Sequence, residues 1–215
     1  MSEPNVDLKQ LYEAVLRGDA DAAVNVTKEA IAAGVNPQLL VTEQMITAMD
    51  EVGRRFENNE YFVPELLIAA RAMKGSLALL RPLLAEQGTE PTGRVVIGTV
   101  KGDLHDIGKG LVGSMLEGGG FEVVDLGVDV PKEKFISQAA ETGANIIALS
   151  ALLTTTMTAM KGVVEELRSS DIADRCQVMI GGAPVTQQYA DSIGAHGYSS
   201  SASGAVAVAR EFVGA

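Results

Sequence analysis

Apolar positions in the amino-terminal part of the chain recur every three or four residues, the spacing that lines one face of a helix. Val6, Leu8, Leu11, Val15 and Leu16 form the first such stripe, and Gly18 ends it. Asp19 is placed to cap a second helix running to Ala33, with Gly34 in the left-handed position beyond its end. Pro37 suits the first turn of a third helix carrying Leu40, Met45, Met49, Val52 and Phe56. Pro64 opens a fourth, with Leu66, Leu67, Ala70, Met73, Leu77 and Leu80 on its apolar face. Amphipathic helices with short connections predict a four-helix bundle over residues 1–88.

Residues 86–93, EQGTEPTG, concentrate Gly, Pro and polar residues, and 89–93 reads as a linker. Beyond it the period changes. The β-branched run RVVIGTV (94–100) leads through a Gly- and Asp-containing turn into a helix over about 107–117. The unit recurs with strands at 121–126, 145–150 and 177–182 and helices near 132–142, 156–168 and 185–191. A weak fifth strand near Gly197-Tyr198 and a helix over about 203–212 finish the chain. This alternation predicts an α/β domain over 94–215, a flavodoxin- or Rossmann-like five-stranded parallel sheet covered on both faces. In such a sheet ligands lie beyond the carboxyl ends of the strands, at the switch between strands 1 and 3. Function is therefore expected in the loops after Val100, Leu149 and Ile180.

Composition narrows the classes. Seventeen basic and twenty-eight acidic residues leave a net charge of −11, which repels phosphate backbones and anionic headgroups, so neither nucleic acid nor a membrane surface is an expected partner. No run approaches the length of a spanning helix and the start MSEPNVDLKQ is polar, which reads as a cytoplasmic protein. The single cysteine, Cys176, allows no internal disulfide and no cysteine-based metal cluster. It precedes a strand and reads as a small apolar residue.

The loop after the first strand reads Gly102-Asp103-Leu104-His105-Asp106-Ile107-Gly108-Lys109. It matches neither glycine-rich phosphate-binding pattern. It does set a histidine at the ligand-binding edge with carboxylates two residues before and one after. A metal-ligating imidazole usually donates its second ring N–H to a carboxylate, and Asp103 is spaced for that role. Gly108 would let the following helix start close to a bulky ligand. A solvated loop histidine with Asp103 as a helix cap fits the same residues. Ser150-Ala151-Leu152, followed by Leu153 and Thr154–Thr156, stands at the end of strand 3, and Gly181-Gly182-Ala183-Pro184 at the end of strand 4. Hydroxyls on one loop and a side-chain-free edge on the next suit a long flat ligand inserted between strands, whereas the glycine pair alone reads as an ordinary turn.

Asp103-x-His105-x-x-Gly108, Ser150-x-Leu152 and Gly181-Gly182 together resemble the signature of the cobalamin-binding domain of methionine synthase and methylmalonyl-CoA mutase. Forty-one residues separate Gly108 from Ser150 and twenty-eight separate Leu152 from Gly181, as in that family. Phe56-x-x-x-x-Tyr61-Phe62-Val63-Pro64-Glu65-Leu66 resembles the helical cap that precedes this domain in methionine synthase. The two-domain layout is similar to corrinoid proteins of methyltransferase systems that serve methanol, methylamines, glycine betaine or aryl methyl ethers. The resemblance spans nearly the whole chain.

It implies cobalamin as cofactor, passing between methylcobalamin and cob(I)alamin states, with His105 as the lower ligand of cobalt in place of the displaced dimethylbenzimidazole. Asp103 would tune His105 and couple its protonation to the oxidation state of cobalt. Ser150 would bond the displaced base or extend the His–Asp relay, with Leu152 packing beside it. Gly181 and Gly182 would line the slot for the nucleotide tail, and Asp106 and Thr154 would touch the corrin edge. Phe56, Tyr61, Phe62 and Leu66 are the residues expected to form an apolar lid over the upper face. Gly110, His196 and Ser199–Ser201 depart from the familiar pattern, and His196 reads as a surface histidine rather than a second ligand.

The resulting expectation is a methyl carrier, not an enzyme on its own. It would take a methyl group from a substrate-specific methyltransferase and give it to a second, pterin-dependent or thiol-directed one, with a reductive activator keeping cobalt competent. Association into a homodimer stays open. A cobalamin-dependent sensor shares the layout but uses a tryptophan-bearing motif and an attached output domain, and this chain has no tryptophan. The cobalamin subunit of a split mutase and a flavodoxin-like domain without cobalamin are the remaining alternatives.

Overall fold

The computed structural model describes residues 6–215. The chain divides into two compact units, one comprising residues up to Pro91 with Glu117–Gly120, the other Thr92–Leu116 and Phe121–Ala215.

The first unit is helical: α1 (Lys9–Arg17), α2 (Ala20–Ala32), α3 (Pro37–Leu39), a π-helical segment (Leu40–Ile46), α4 (Thr47–Glu57) and α5 (Val63–Glu86). Local chemistry sets the ends. Gly18 closes α1 in the left-handed conformation, Asp19 accepts the Ala22 amide to cap α2, and Glu65 reaches back to the Phe62 amide at the start of α5. Leu11, Val15, Leu40, Met45, Met49, Val52, Leu66, Met73 and Leu80 are buried. The expected third helix departs from regular geometry: seven of its residues are π-helical. The Thr42 and Thr47 hydroxyls bond the carbonyls of Gln38 and Glu43 four residues back, competing for the acceptors of a normal turn. The wider turn suits the five-residue step from Leu40 to Met45, which buries both side chains completely. Leu67, expected on the apolar face of α5, is instead 46% exposed.

The second unit alternates β1 (Arg94–Thr99), α6 (Ile107–Gly118), β2 (Glu122–Asp125), α7 (Lys132–Thr142), β3 (Ile146–Ser150), α8 (Thr158–Arg168), β4 (Gln177–Gly181), α9 (Gln187–Ile193), β5 (Gly197–Tyr198) and α10 (Ala202–Val213). The strands are parallel in the order β2-β1-β3-β4-β5. β1 and β3 are therefore adjacent, and the chain switches direction between them. The burial of β1, β3 and β4 is nearly continuous, as both-face coverage requires, with Val96, Phe135, Ile147, Leu149, Met160, Val163 and Ile180 in one shared core. Register places Thr99 beside Ser150 and Ser150 beside Gly181, so the three motif-bearing strands end level with one another. Cys176 is buried, which pushes its thiol up to about 11. Among the described residues no helix is long and apolar enough to cross a membrane.

His196 lies near the start of β5. Its Nδ1 accepts the Val178 amide at 2.8 Å, and its own amide donates to the Val178 carbonyl at 2.8 Å. It is a structural histidine. Desolvation of the ring, and then the Arg168 guanidinium, hold its pKa below the ordinary value. Above about pH 7 folded and unfolded chains are both neutral at this ring; as pH falls below about 6.5 the unfolded chain takes up a proton that the folded one resists. His196→Asn removes that uptake, so the loss of stability between pH 7 and pH 5 becomes shallower than in wild type. Urea unfolding at stepped pH measures it, and parallel slopes would show that His196 adds nothing to the acid sensitivity.

Candidate functional site

Four segments meet at the carboxyl end of the sheet. The first is the loop between β1 and α6. A turn at Gly102 (φ +85°) brings the Asp103 side chain inward, where its carboxylate is completely buried. Burying an isolated carboxylate is costly, so the location requires donors. One oxygen accepts the His105 amide at 3.0 Å and His105 Nδ1 at 2.7 Å; the other accepts the Leu152 amide at 2.8 Å and the Thr156 hydroxyl at 2.6 Å. Burial alone would raise the pKa of Asp103, but the Thr156, Leu152 and His105 hydrogen bonds outweigh it and hold the carboxyl well below the usual carboxylate range. An ionised Asp103 fixes the proton of the neutral imidazole on Nδ1. Nε2 is left as a lone-pair donor on a side chain that is 50% exposed.

The histidine is held from its backbone as well. The hydroxyl of buried Thr99 donates to the His105 carbonyl at 2.8 Å. In the first turn of α6, Lys109 is only 4% exposed and its ammonium pairs with Asp125 at the end of β2; Asp125 also accepts the Gly127 amide. A cation at a helix N-terminus opposes the helix dipole, so this lysine needs that partner.

The sequence-predicted residues divide accordingly. Asp103, His105 and Leu152 come together, Leu152 through its amide. It is the Thr156 hydroxyl that reaches Asp103; Ser150, expected to bond the displaced base or to extend the His–Asp relay, lends its main-chain carbonyl to the Val100 amide. Thr154 is exposed in the same turn, and Asp106 is exposed with its carbonyl accepting the Gly110 amide. Thr156, Lys109 and Asp125 escaped the sequence reading. A threonine triplet and a lysine between two glycines at a helix start were the only signals, and neither says which partner lies opposite.

The glycines serve two different purposes. A Cβ on Gly182 (φ +129°) would sit 1.9 Å from the Ala151 carbonyl oxygen, and one on Gly181 would sit 3.1 Å from that of Ser199. Backbone therefore excludes a side chain at Gly182 independently of any ligand, whereas at Gly181 the contact is only tight. A Cβ on Gly108 would meet nothing within 4 Å. Nothing in the protein requires Gly108 to be bare, and the same holds for Gly110 two residues on. On the same two loops Leu104, Ile107, Leu152 and Leu153 are exposed, Ile107 by 86%, which gives this edge of the sheet an apolar rim.

Among the described residues no group of three or more His, Cys, Asp or Glu side chains could cage a metal ion. His105 offers one nitrogen. That donor set suits a metal whose remaining positions are filled by a flat macrocycle, and the bare Gly108 and the apolar rim fit such a group. Of the residues expected in a lid, Leu66 is core within the helical unit. Phe56 is half-buried, and Tyr61 is half-buried with its hydroxyl on the Leu16 carbonyl. Only Phe62 stands largely exposed, at 61%.

Comparison with known proteins gives concordant findings. Residues 93–207 match the B12 binding domain family, and residues 7–81 match a second family also described as B12 binding domain. The chain is 44% identical over 200 residues to trimethylamine corrinoid protein 1 of Methanosarcina acetivorans, covering 92% of this chain and 93% of that protein. It is 42% identical over 207 residues to the dimethylamine corrinoid protein of Methanosarcina barkeri, covering 96% and 97%. A chain of the methanol:cobalamin methyltransferase complex of Methanosarcina barkeri superposes with a TM-score of 0.86 at 29% identity, over 98% of this chain and 81% of that one.

The two kinds of glycine separate by stability. Gly182→Ala costs at least about 3 kcal/mol, because backbone lies where the methyl would go. Gly108→Ala, in open space at a helix start, is neutral or stabilising by up to about 1 kcal/mol. The ion pair is similarly lopsided: Asp125→Ala strands a buried ammonium and costs about 3 kcal/mol, whereas Lys109→Met leaves a half-exposed carboxylate and costs about 1 kcal/mol. Urea unfolding of the four variants checks both orders, and a reversed order in either pair refutes that assignment.

Proposed function

We propose that this chain, which belongs to the B12-binding family of corrinoid proteins, holds cobalt through His105 and carries methyl groups between two partner methyltransferases. That it is a corrinoid protein of methyltransferase systems follows from family membership over both units. The histidine ligation rests on one observation: Asp103 commits Nδ1 of His105 and leaves Nε2 on a half-exposed side chain.

When bound, the corrinoid supplies a cobalt centre that accepts and releases a methyl group. The protein's part is to hold the ligand. His105 would hold the cobalt through Nε2 in place of the cofactor's own base, and Gly108 with the exposed apolar side chains of these loops would accommodate the macrocycle. Asp103 would hold the Nδ1 proton and so keep Nε2 directed to the metal. Ser150 and Gly181 end their strands, Leu152, Thr154, Asp106 and Gly182 lie on loops at the same edge, and all six are assigned to the cofactor's periphery. Ser150 is assigned to the displaced base, because Asp103 is already saturated.

The methyl donor is assigned to a partner methyltransferase, a reading supported by relatives named as corrinoid proteins and by the likeness to a chain of a methyltransferase complex. Identity above 40% to corrinoid proteins named for trimethylamine and dimethylamine supports a methylamine-class donor and a dedicated methyltransferase. The methyl acceptor is reached through a second, pterin-dependent methyltransferase, a reductive activator restores the reduced cobalt, and the site of action is the cytoplasm.

Visible spectra of protein reconstituted with hydroxocobalamin test the ligation. The wild type retains corrinoid through desalting, and its spectrum differs from that of His105→Ala at the same pH. Gly108→Ala retains about tenfold less than wild type while remaining folded. Identical spectra for wild type and His105→Ala would exclude the histidine ligand, and loss of all corrinoid from the wild type would exclude the site.

A further inference from the structure

The geometry points to Asp129, in the connection between β2 and α7, as a positioning residue that holds the His105 loop in the shape that ligates cobalt. It builds on the proposed histidine ligation and extends it to a residue on a different loop.

Asp129 is one of two non-glycine residues with positive φ among those described, at +53°. L-residues rarely adopt this left-handed conformation, and aspartate and asparagine tolerate it better than most. The conformation brings two groups of Asp129 onto one turn. Its carboxylate accepts the Gly102 amide at 2.8 Å, and its own amide donates to the Asp103 carbonyl at 2.9 Å. One residue thus grips the peptide groups on either side of the Gly102–Asp103 step, the step that turns the Asp103 carboxylate inward to meet Nδ1 of His105. Lys101 Nζ lies 3.0 Å from the same carboxylate and secures it further.

The backbone confirms the register of the clasp. Val100 and Val130 form a parallel bridge, and the Val130 amide donates to the Thr99 carbonyl at 3.0 Å, so the two loops run side by side into the site. The Gly102 amide and Lys101 hold the Asp129 carboxyl below its ordinary pKa, which keeps the acceptor ionised. Thr99 holds the far side of the same turn through the His105 carbonyl. An extended conformation at position 129 would keep the side chain but turn its carboxylate away from Gly102.

Two substitutions separate positioning from simple stability. Asp129→Asn keeps an acceptor oxygen and tolerance of the left-handed conformation; Asp129→Gly keeps the conformation and the main-chain donor but removes the acceptor. Each full-length variant is compared with wild type and His105→Ala in three measurements: amide hydrogen exchange at Gly102 in the corrinoid-free protein, affinity for hydroxocobalamin, and the electron paramagnetic resonance spectrum of the cobalt(II) form, where a coordinated nitrogen splits the signal. Asp129→Gly is expected to exchange Gly102 at least about tenfold faster, to bind about tenfold more weakly and to show a fraction of the His105→Ala spectrum, while Asp129→Asn stays within about twofold of wild type. A folded Asp129→Gly with wild-type affinity and spectrum would overturn the proposal. So would an Asp129→Asn as impaired as the glycine variant. Identical cobalt(II) spectra for wild type and His105→Ala would instead mark failure of the histidine reading itself, and the proposal would fall with it.

Discussion

The buried carboxylate of Asp103 is the constraint from which the rest of the site follows. An ionised group inside the protein is tolerated only where hydrogen bonds replace its water, and charge-assisted bonds of this kind contribute about 1.5–3 kcal/mol each. Asp103 receives four, from the His105 amide and ring and from the Leu152 amide and Thr156 hydroxyl. Two donors belong to its own loop and two to the loop after β3. Moving either loop would strip donors from a buried charge, so the two are locked together and the imidazole is locked with them. The same arrangement decides the tautomer of His105 and leaves Nε2 as the atom that the proposed ligation uses.

Around that group the fold supplies further restraints. Thr99 anchors the His105 carbonyl from within the sheet, Lys109 and Asp125 tie the start of α6 to the end of β2, and Asp129 reaches across from the following loop. Only the Lys109 ammonium is a buried charge with a single counter-ion, and such pairs are costly to break and yield little net stability when intact. Its value is geometric. A metal ligand misplaced by a fraction of an ångström is a poor one, and precise placement is best obtained from neighbours on rigid elements.

The glycines show how one residue type carries unrelated demands within one site. At Gly182 the protein's own backbone excludes a side chain; at Gly108 nothing in the protein does. A reading of the motif alone assigns both to the cofactor. Glycine at position 108 sits in a helix where it costs stability relative to alanine, a cost for which the proposed cofactor at this edge would account.

Much was legible without coordinates because it is written in short windows. The change of hydrophobic period after position 93 marked the passage from helices to alternating strands and helices, and the Asp103-x-His105 spacing offered a carboxylate–imidazole pair beside the alternative of a solvated histidine. The π-helical segment too has a local signature, the five-residue step from Leu40 to Met45, read as ordinary helix because three- and four-residue steps surround it. What the sequence could not decide is which residues from distant segments arrive opposite one another. Thr156 rather than Ser150 reaches Asp103 across 53 residues of chain, Lys109 finds Asp125, and Asp129 finds Gly102. Those pairings depend on strand register and on loop curvature, which are set by the packing of the whole sheet. Local propensity proposes the donors and acceptors; only the tertiary structure brings particular ones within 3 Å of each other.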